Sequence, residues 1–150
     1  ATYIGGNGED LPHSMVANSS DHTIVLGSSN STDYPFSPEA IDSTHGGGKD
    51  VVLTVLSSDG SQLIGSTYVG GSNDDGVNNQ IVYYADDYRG EVVVDSLDNI
   101  YVASFSRSLN FPTSAGVLQD TLAGDQDGVV FKTTPNLYFS HSTRLSKRYI

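Results

Sequence analysis

The chain repeats itself, and it does so in two registers. Thr2-Tyr3-Ile4-Gly5-Gly6 returns as Thr67-Tyr68-Val69-Gly70-Gly71, each copy followed by an acidic Gly/Asn/Asp turn that ends at Asp10 and Asp75. Further along, Ser31-x-x-Tyr34-Pro35-x-Ser37 matches Ser108-x-x-Phe111-Pro112-x-Ser114, and Asp50-x-Val52 matches Asp127-x-Val129. A fixed long period marks a repeat architecture, in which one supersecondary unit cannot bury its apolar face alone and must stack on a neighbour. The length of 150 residues holds two units of roughly 65 residues. What is copied is scaffold, so the repeat speaks first to architecture.

Short β-branched runs fill the units: Thr23-Ile24-Val25-Leu26, Val51–Leu56, Val92-Val93-Val94, Ile100-Tyr101-Val102 and Val129-Val130-Phe131. Gly, Asp, Asn and Ser clusters bound each run, the signature of strands and turns, and no long 3.6-period stripe predicts a helix. The expected fold is all-β. Strands are expected near 13–18, 23–29, 50–57 and 62–69 in the first unit, and near 91–95, 99–106, 127–133 and 137–145 in the second. Asp59-Gly60 is a hairpin signal, while Asp21 and Asp98-Asn99 mark the turn between the first two strands of each unit. Segments 30–49 and 107–126 are long connections carrying the copied aromatic-Pro element, and residues 1–6 read as the last strand of a preceding unit.

The two units differ in one place. Asp10 to Asp21 spans eleven positions and Asp75 to Asp98 twenty-three, so the second unit carries an insertion around 77–90 that contains Tyr83, Tyr84, Asp86, Asp87, Tyr88 and Arg89. Departures from a shared scaffold are where function is grafted.

Ser66-Thr67-Tyr68-Val69-Gly70-Gly71-Ser72-Asn73-Asp74-Asp75, then Val94-Asp95-Ser96-x-x-Asn99-Ile100-Tyr101-Val102-Ala103, then Asn110-Phe111-Pro112-Thr113, resemble the bacterial β-propeller repeat known as SBBP. The resemblance covers nearly all of 1–135. It implies two four-stranded antiparallel blades of a partial propeller plus one strand of a preceding blade. Residues 1–10 would be that strand and its turn, 11–71 blade one, 72–145 blade two with the insertion, and 146–150 a tail. The resemblance also implies a secreted or cell-surface bacterial protein concerned with adhesion or surface assembly. It carries over no catalytic residue. Three departures stand out: Asp98 in place of a turn glycine, the insertion, and a tail from Leu137 that lacks Tyr-x-Gly-Gly. Two blades cannot close a ring. A piece of a longer or processed chain is favoured over self-assembly, and Ala1 begins in mid-motif.

The glycine pairs fit where the chain swings from one blade to the next, through positive φ or a close approach to a neighbour. Tyr34 and Phe111 are expected to pack between blades. Gly46-Gly47-Gly48-Lys49 is followed by Asp50 and a strand, not by Ser/Thr and a helix, so it reads as a glycine-rich lead-in to the third strand rather than a phosphate loop. His13, His22, His45 and His141 are scattered, and no G-x-S-x-G elbow occurs.

Among acidic pairs, Asp74-Asp75 is a weak Ca²⁺ candidate, with solvated turns the better account and no metal or other cofactor expected. In the insertion, Tyr83, Tyr84 and Tyr88 beside Asp86, Asp87 and Arg89 have the composition of a sugar-binding surface; the alternative is a hairpin whose tyrosines pack on the neighbouring blade. A net charge of −11 and a pI near 4.3 disfavour nucleic acid. Seven basic residues are unevenly placed, with Arg144, Lys147 and Arg148 crowding the last positions. The absence of cysteine excludes a disulfide framework, and no run is long enough for an apolar membrane helix.

The expected function is therefore a non-enzymatic structural and interaction module, extracellular or on the cell surface, whose partners are proteins or further blades and, through the insertion, surface glycans. The alternatives are a carbohydrate-binding module built on the tyrosine-rich insertion and the non-catalytic propeller portion of a glycan-active enzyme.

Overall fold

A computed structural model describes residues 1–78, 90–135 and 137. The protein is all-β, with no helix among those residues. Seven strands form two antiparallel meanders: β1 (Asp10–Ala17), β2 (Thr23–Ser29), β3 (Asp50–Leu56) and β4 (Leu63–Val69) in order, then β5 (Glu91–Val94), β6 (Ile100–Ser106) and β7 (Asp127–Thr133) in order. The first strand starts earlier than its apolar pattern predicts, because Asp10-Leu11-Pro12 pair with Ser29-Ser28-Gly27 ahead of an irregularity between Pro12 and Ser14. Residues 1–6 carry no strand here. The strand expected at 137–145 falls almost entirely outside the described residues.

The repeat is exact in register across the centre of each sheet. Thr23–Ser29 against Leu56–Asp50 in the first sheet has the same pairing as Ile100–Ser106 against Thr133–Asp127 in the second. Matched turns close the hairpins. Asp21 and Asp98 hold φ of 59° and 60°, a left-handed geometry that aspartate tolerates better than most residues, which is how Asp98 serves where glycine is the commoner choice. Gly60 (φ 72°) and Leu137 (φ 54°) occupy the equivalent turn after β3 and β7.

Alternation along the strands turns one face of each sheet toward the other. Ile24, Leu26, Val51, Leu53, Val55 and Val69 from the first sheet meet Val92, Ile100, Val102, Phe131 and Leu137 from the second in a single buried core. Each such side chain contributes about 1.5–3 kcal/mol by leaving water. The far face of the first sheet holds a second, smaller cluster in which Tyr34 packs on Val52 and Tyr68 of its own sheet. Tyr34 therefore sits on its own unit rather than between the two, whereas Phe111 reaches the shared core.

The connection 30–49 also covers the free edge of β4. Ser37 N–H donates to Ser66 O at 3.1 Å, and Tyr68 N–H donates to Asp42 O at 3.0 Å. Satisfying edge groups in this way blocks unwanted strand addition. The glycine run Gly46-Gly47-Gly48 exists for a neighbouring reason. A Cβ at Gly47 would meet Ser72 O at 2.8 Å, and one at Gly48 would meet the Asn73 carbonyl carbon at 2.7 Å, so two backbones pass too closely for side chains. Lys49, after that run, pairs with Glu9 at 2.8 Å.

Leu53 and Val130 occupy equivalent positions, but Leu53 is fully buried and Val130 is 67% exposed. Leu53→Ala is expected to cost about 2–5 kcal/mol of unfolding free energy and Val130→Ala no more than about 0.5 kcal/mol, measured by urea denaturation. Equal losses would refute the face-to-face packing.

Candidate functional site: an aspartate-centred junction

The two sequence registers meet at a pair of aspartates. After the glycine pair the chain curls back, and Asp10 and Asp75 each collect donors from two separate segments. Gly6 N–H donates to Asp10 Oδ2 at 2.8 Å, and Gly71 N–H to Asp75 Oδ2 at 2.7 Å. Ser31 Oγ donates to Asp10 at 3.0 Å, and Ser108 Oγ to Asp75 at 2.8 Å. The same serines accept from the turn, with Gly8 N–H at 2.8 Å and Asn73 N–H at 2.9 Å. Beside them, Asn7 N–H binds Asp33 and Ser72 N–H binds Asn110 at 2.8 and 2.9 Å. One element from the short register is thus stitched to one from the long register, twice over.

The glycine pair is required by proximity rather than by φ, since none of Gly5, Gly6, Gly70 and Gly71 has a positive φ among those the structure records. A Cβ at Gly71 would lie 2.6 Å from both Asn110 Oδ1 and Ser108 Cβ. At Gly70 it would collide with Asp50 Oδ1 and lie 2.9 Å from Asp75 Oδ2. Two carboxylates therefore converge on one glycine at the seam between the sheets.

Both are buried, Asp50 at 1% exposure and Asp75 at 0%. Asp50 Oδ2 accepts from Gly46 N–H at 2.6 Å, while its Oδ1 has no hydrogen-bond partner among the described residues. Burial, only partly offset by Gly46 and reinforced by the charges of Asp75 and Asp42, lifts the Asp50 carboxyl to about 7. Burial also raises Asp75, against the lowering effect of its serine and backbone donors. At neutral pH such a pair favours holding a proton. His13, packed beneath the same seam with its Nε2 3.2 Å from Ser28 Oγ, is pushed the other way, down to about 4, by burial and by the charge of Lys49.

The residues expected to matter distribute as follows. Asp74 and Asp75 separate in role: Asp75 is interior, while Asp74 accepts from Lys49 N–H at 3.1 Å and lines a polar cleft of about 430 Å³ with Gly48, Asn73, Arg107 and Asp125. No three His, Asp or Glu side chains among the described residues converge as a metal site. Tyr83, Tyr84, Asp86, Asp87, Tyr88 and Arg89 lie outside the described residues. The Asp50–Asp75 convergence was not anticipated from sequence, although its members stand in the copied motifs.

The pH response follows from opposed signs. Asp50, raised above its unfolded value near 3.8, removes stability as pH climbs from about 4 to about 7, with a slope of at most about 1.4 kcal/mol per pH unit. His13, depressed from 6.5 to about 4, adds stability over the rise from about 4 to 6.5. Asp50→Asn keeps an acceptor for Gly46 and offers an N–H toward Asp75. It is expected to raise the melting temperature at pH 8 and to expose the His13 slope, so that the variant loses stability on acidification below pH 6.5. Thermal melts at pH 5, 6.5 and 8 check this; a variant less stable than the parent at pH 8 would sink it. In comparisons with protein-family models, curated proteins and solved structures, the chain matches none.

Proposed function

We propose that the chain is a non-enzymatic structural and interaction module: consecutive β-propeller repeats of a secreted or cell-surface bacterial protein that serves adhesion or surface assembly. The observation that carries this reading is the duplicated junction. Asp10-Gly6-Ser31 and Asp75-Gly71-Ser108 make the same contacts at nearly the same lengths, so the strongest polar constellations are occupied in joining one segment to the next. Four-stranded and three-stranded meanders stacked face to face are the local arrangement that radial blades require. The resemblance of the motifs to SBBP repeats points the same way and supplies the extracellular setting.

A carbohydrate-binding role rests on the composition of 83–89 and on its being the place where the two copies disagree. A glycan-active enzyme would need its catalytic groups elsewhere, since Asp50 and Asp75 are sealed from substrate.

Two measurements test the reading. Ser31→Ala and Ser108→Ala are each expected to lower unfolding stability, by about 1 kcal/mol at half-buried Asp10 and up to about 3 kcal/mol at buried Asp75, because each leaves a junction carboxylate short of a donor; a neutral effect at either serine would break the claim of a shared junction. Antibodies against the chain are expected to label intact cells of the source organism. Labelling only after permeabilisation would refute the surface assignment. Should the chain bind a glycan array, loss of the signal in Tyr84→Ala/Tyr88→Ala would move the assignment to a lectin.

A further inference from the structure

Two positions of the second unit abandon duties that their counterparts perform in the first. Asn30 precedes Ser31, and its side-chain oxygen accepts from Glu9 N–H at 2.6 Å; the residue that precedes Ser108 is Arg107. Gly48 stands two residues before Asp50, where a Cβ would meet Asn73 and Asp74; the residue two before Asp127 is Asp125. A capping amide and a bare backbone are thus exchanged for a cation and an anion. Both line one place, the polar cleft of about 430 Å³ beside Asp74. Departures from a copied scaffold that converge on one cavity are where a binding function is added.

Hydrogen bonds hold the walls of this cleft in place. Arg107 N–H donates to Asp74 O at 3.0 Å, and Asn73 Nδ2 donates to Arg107 O at 3.1 Å. Arg107 Nε donates to Asp125 O at 3.2 Å, which ties the guanidinium to the far end of the connection 107–126. Its remaining N–H groups have no partner among the described residues. Lys49 pairs with Glu9 at 2.8 Å and Lys132 lies 3.9 Å from Asp95, whereas Arg107 has no ion-pair partner among the described residues. The Asp125 carboxylate likewise takes no hydrogen bond among those residues. Half-buried Arg107 and exposed Asp125 therefore present opposite charges to the same cleft without neutralising each other. Its volume falls in the range of about 300–1,000 Å³ common to small-molecule sites.

The chemistry of a ligand follows from that pattern. A simple anion would face Asp74 and Asp125, a simple cation would face Arg107, and an apolar molecule would leave all three without partners. A neutral polyol can hydrogen-bond to each group but offsets neither charge. A molecule carrying both signs satisfies them together, because a guanidinium fork takes a carboxylate bidentately and a carboxylate takes an ammonium by charge-assisted hydrogen bonds. Leu109, 76% exposed, and Leu122 give the cleft an apolar wall against which an aliphatic chain can lie. We infer that the cleft binds a small zwitterion with the chemistry of a free α-amino acid or dipeptide, its carboxylate on Arg107 and its ammonium on Asp125. This activity goes beyond the structural role proposed above and is independent of where the protein resides.

Amide NMR of the isotope-labelled chain, titrated with L-leucine and with glycyl-leucine, tests this. Either zwitterion is expected to shift the backbone amides of Asn73, Arg107 and Gly124, with a Kd of about 1 mM for so open a cleft. N-acetyl-leucine, which lacks the ammonium, leucinamide, which lacks the carboxylate, and glucose are each expected to bind at least about tenfold more weakly. Arg107→Gln is expected to weaken leucine about tenfold and to bring leucine and leucinamide to equal affinity. Asp125→Asn is expected to do the same for leucine and N-acetyl-leucine, and both variants to keep the circular dichroism of the parent. No shift with either zwitterion would overturn the inference. So would binding of glucose, leucinamide or N-acetyl-leucine as tight as that of leucine, or variants that weaken every probe alike.

Discussion

The fold depends on a carboxylate that is buried where burial is costly. Asp75 is fully inside, and an unpaired charge there would lose several kcal/mol of hydration. It is retained because Gly71 and Ser108 deliver donors from two directions, and because its own N–H donates to Lys49 O at 2.5 Å. Three stretches far apart in sequence therefore meet at one residue: the turn leaving β4, the connection leaving β6, and the lead-in to β3. Where Asp75 goes, the second sheet must follow. The hydrophobic core favours some stacked arrangement of two apolar faces, but it is non-directional. The aspartate junction selects which stacking.

That division of labour accounts for the glycines. Backbone passing backbone at Gly46–Gly48, and carboxylate against backbone at Gly70, shorten the seam so that the apolar faces close on each other. Asp50 is the cost of this closeness. Its second oxygen has no donor among the described residues and its neighbour is another acid, so the seam holds an unfavourable charge that a proton relieves. Asp10 is the same hub in the first unit, accepting from Gly6, Ser29 and Ser31. It is only half-buried.

The positions of the strands were readable because β-branched runs and turn residues act locally. Val51–Leu56 and Ile100–Ser106 needed no tertiary information, and neither did the hairpin at Asp59-Gly60. The early start of β1 was not readable, since Asp10-Leu11-Pro12 have poor strand propensity and pair only because β2 offers them an edge. Which side Tyr34 packs on, the far face with Val52 and Tyr68, was not readable for a similar reason: an aromatic-Pro motif announces packing but not the partner. The junction was half legible. Copying of Asp10/Asp75 and Ser31/Ser108 was visible, but they belong to registers that differ by the length of the insertion, and only folding shows that one register bonds to the other. Asp50 lies in a third motif, and nothing in its neighbours announces that it faces Asp75.

A repeat with one junction inside it has, by construction, a donor side and an acceptor side. In the first sheet the connection 30–49 covers the edge of β4, a device that stops further strands from adding. In the second, exposed Leu109, Leu118 and Val130 surround β7, and the connection 107–126 stands off as a groove wall. The specificity of the junction comes from the glycine pair and the aspartate more than from apolar area. A strand bearing a side chain in place of Gly5 or Gly70 is excluded by the carboxylate beside it, whatever its hydrophobicity. The strong negative charge of the chain acts in the same sense. At −11 it opposes indiscriminate association at long range, and contact is left to partners whose buried acids meet backbone N–H groups and hydroxyls in register.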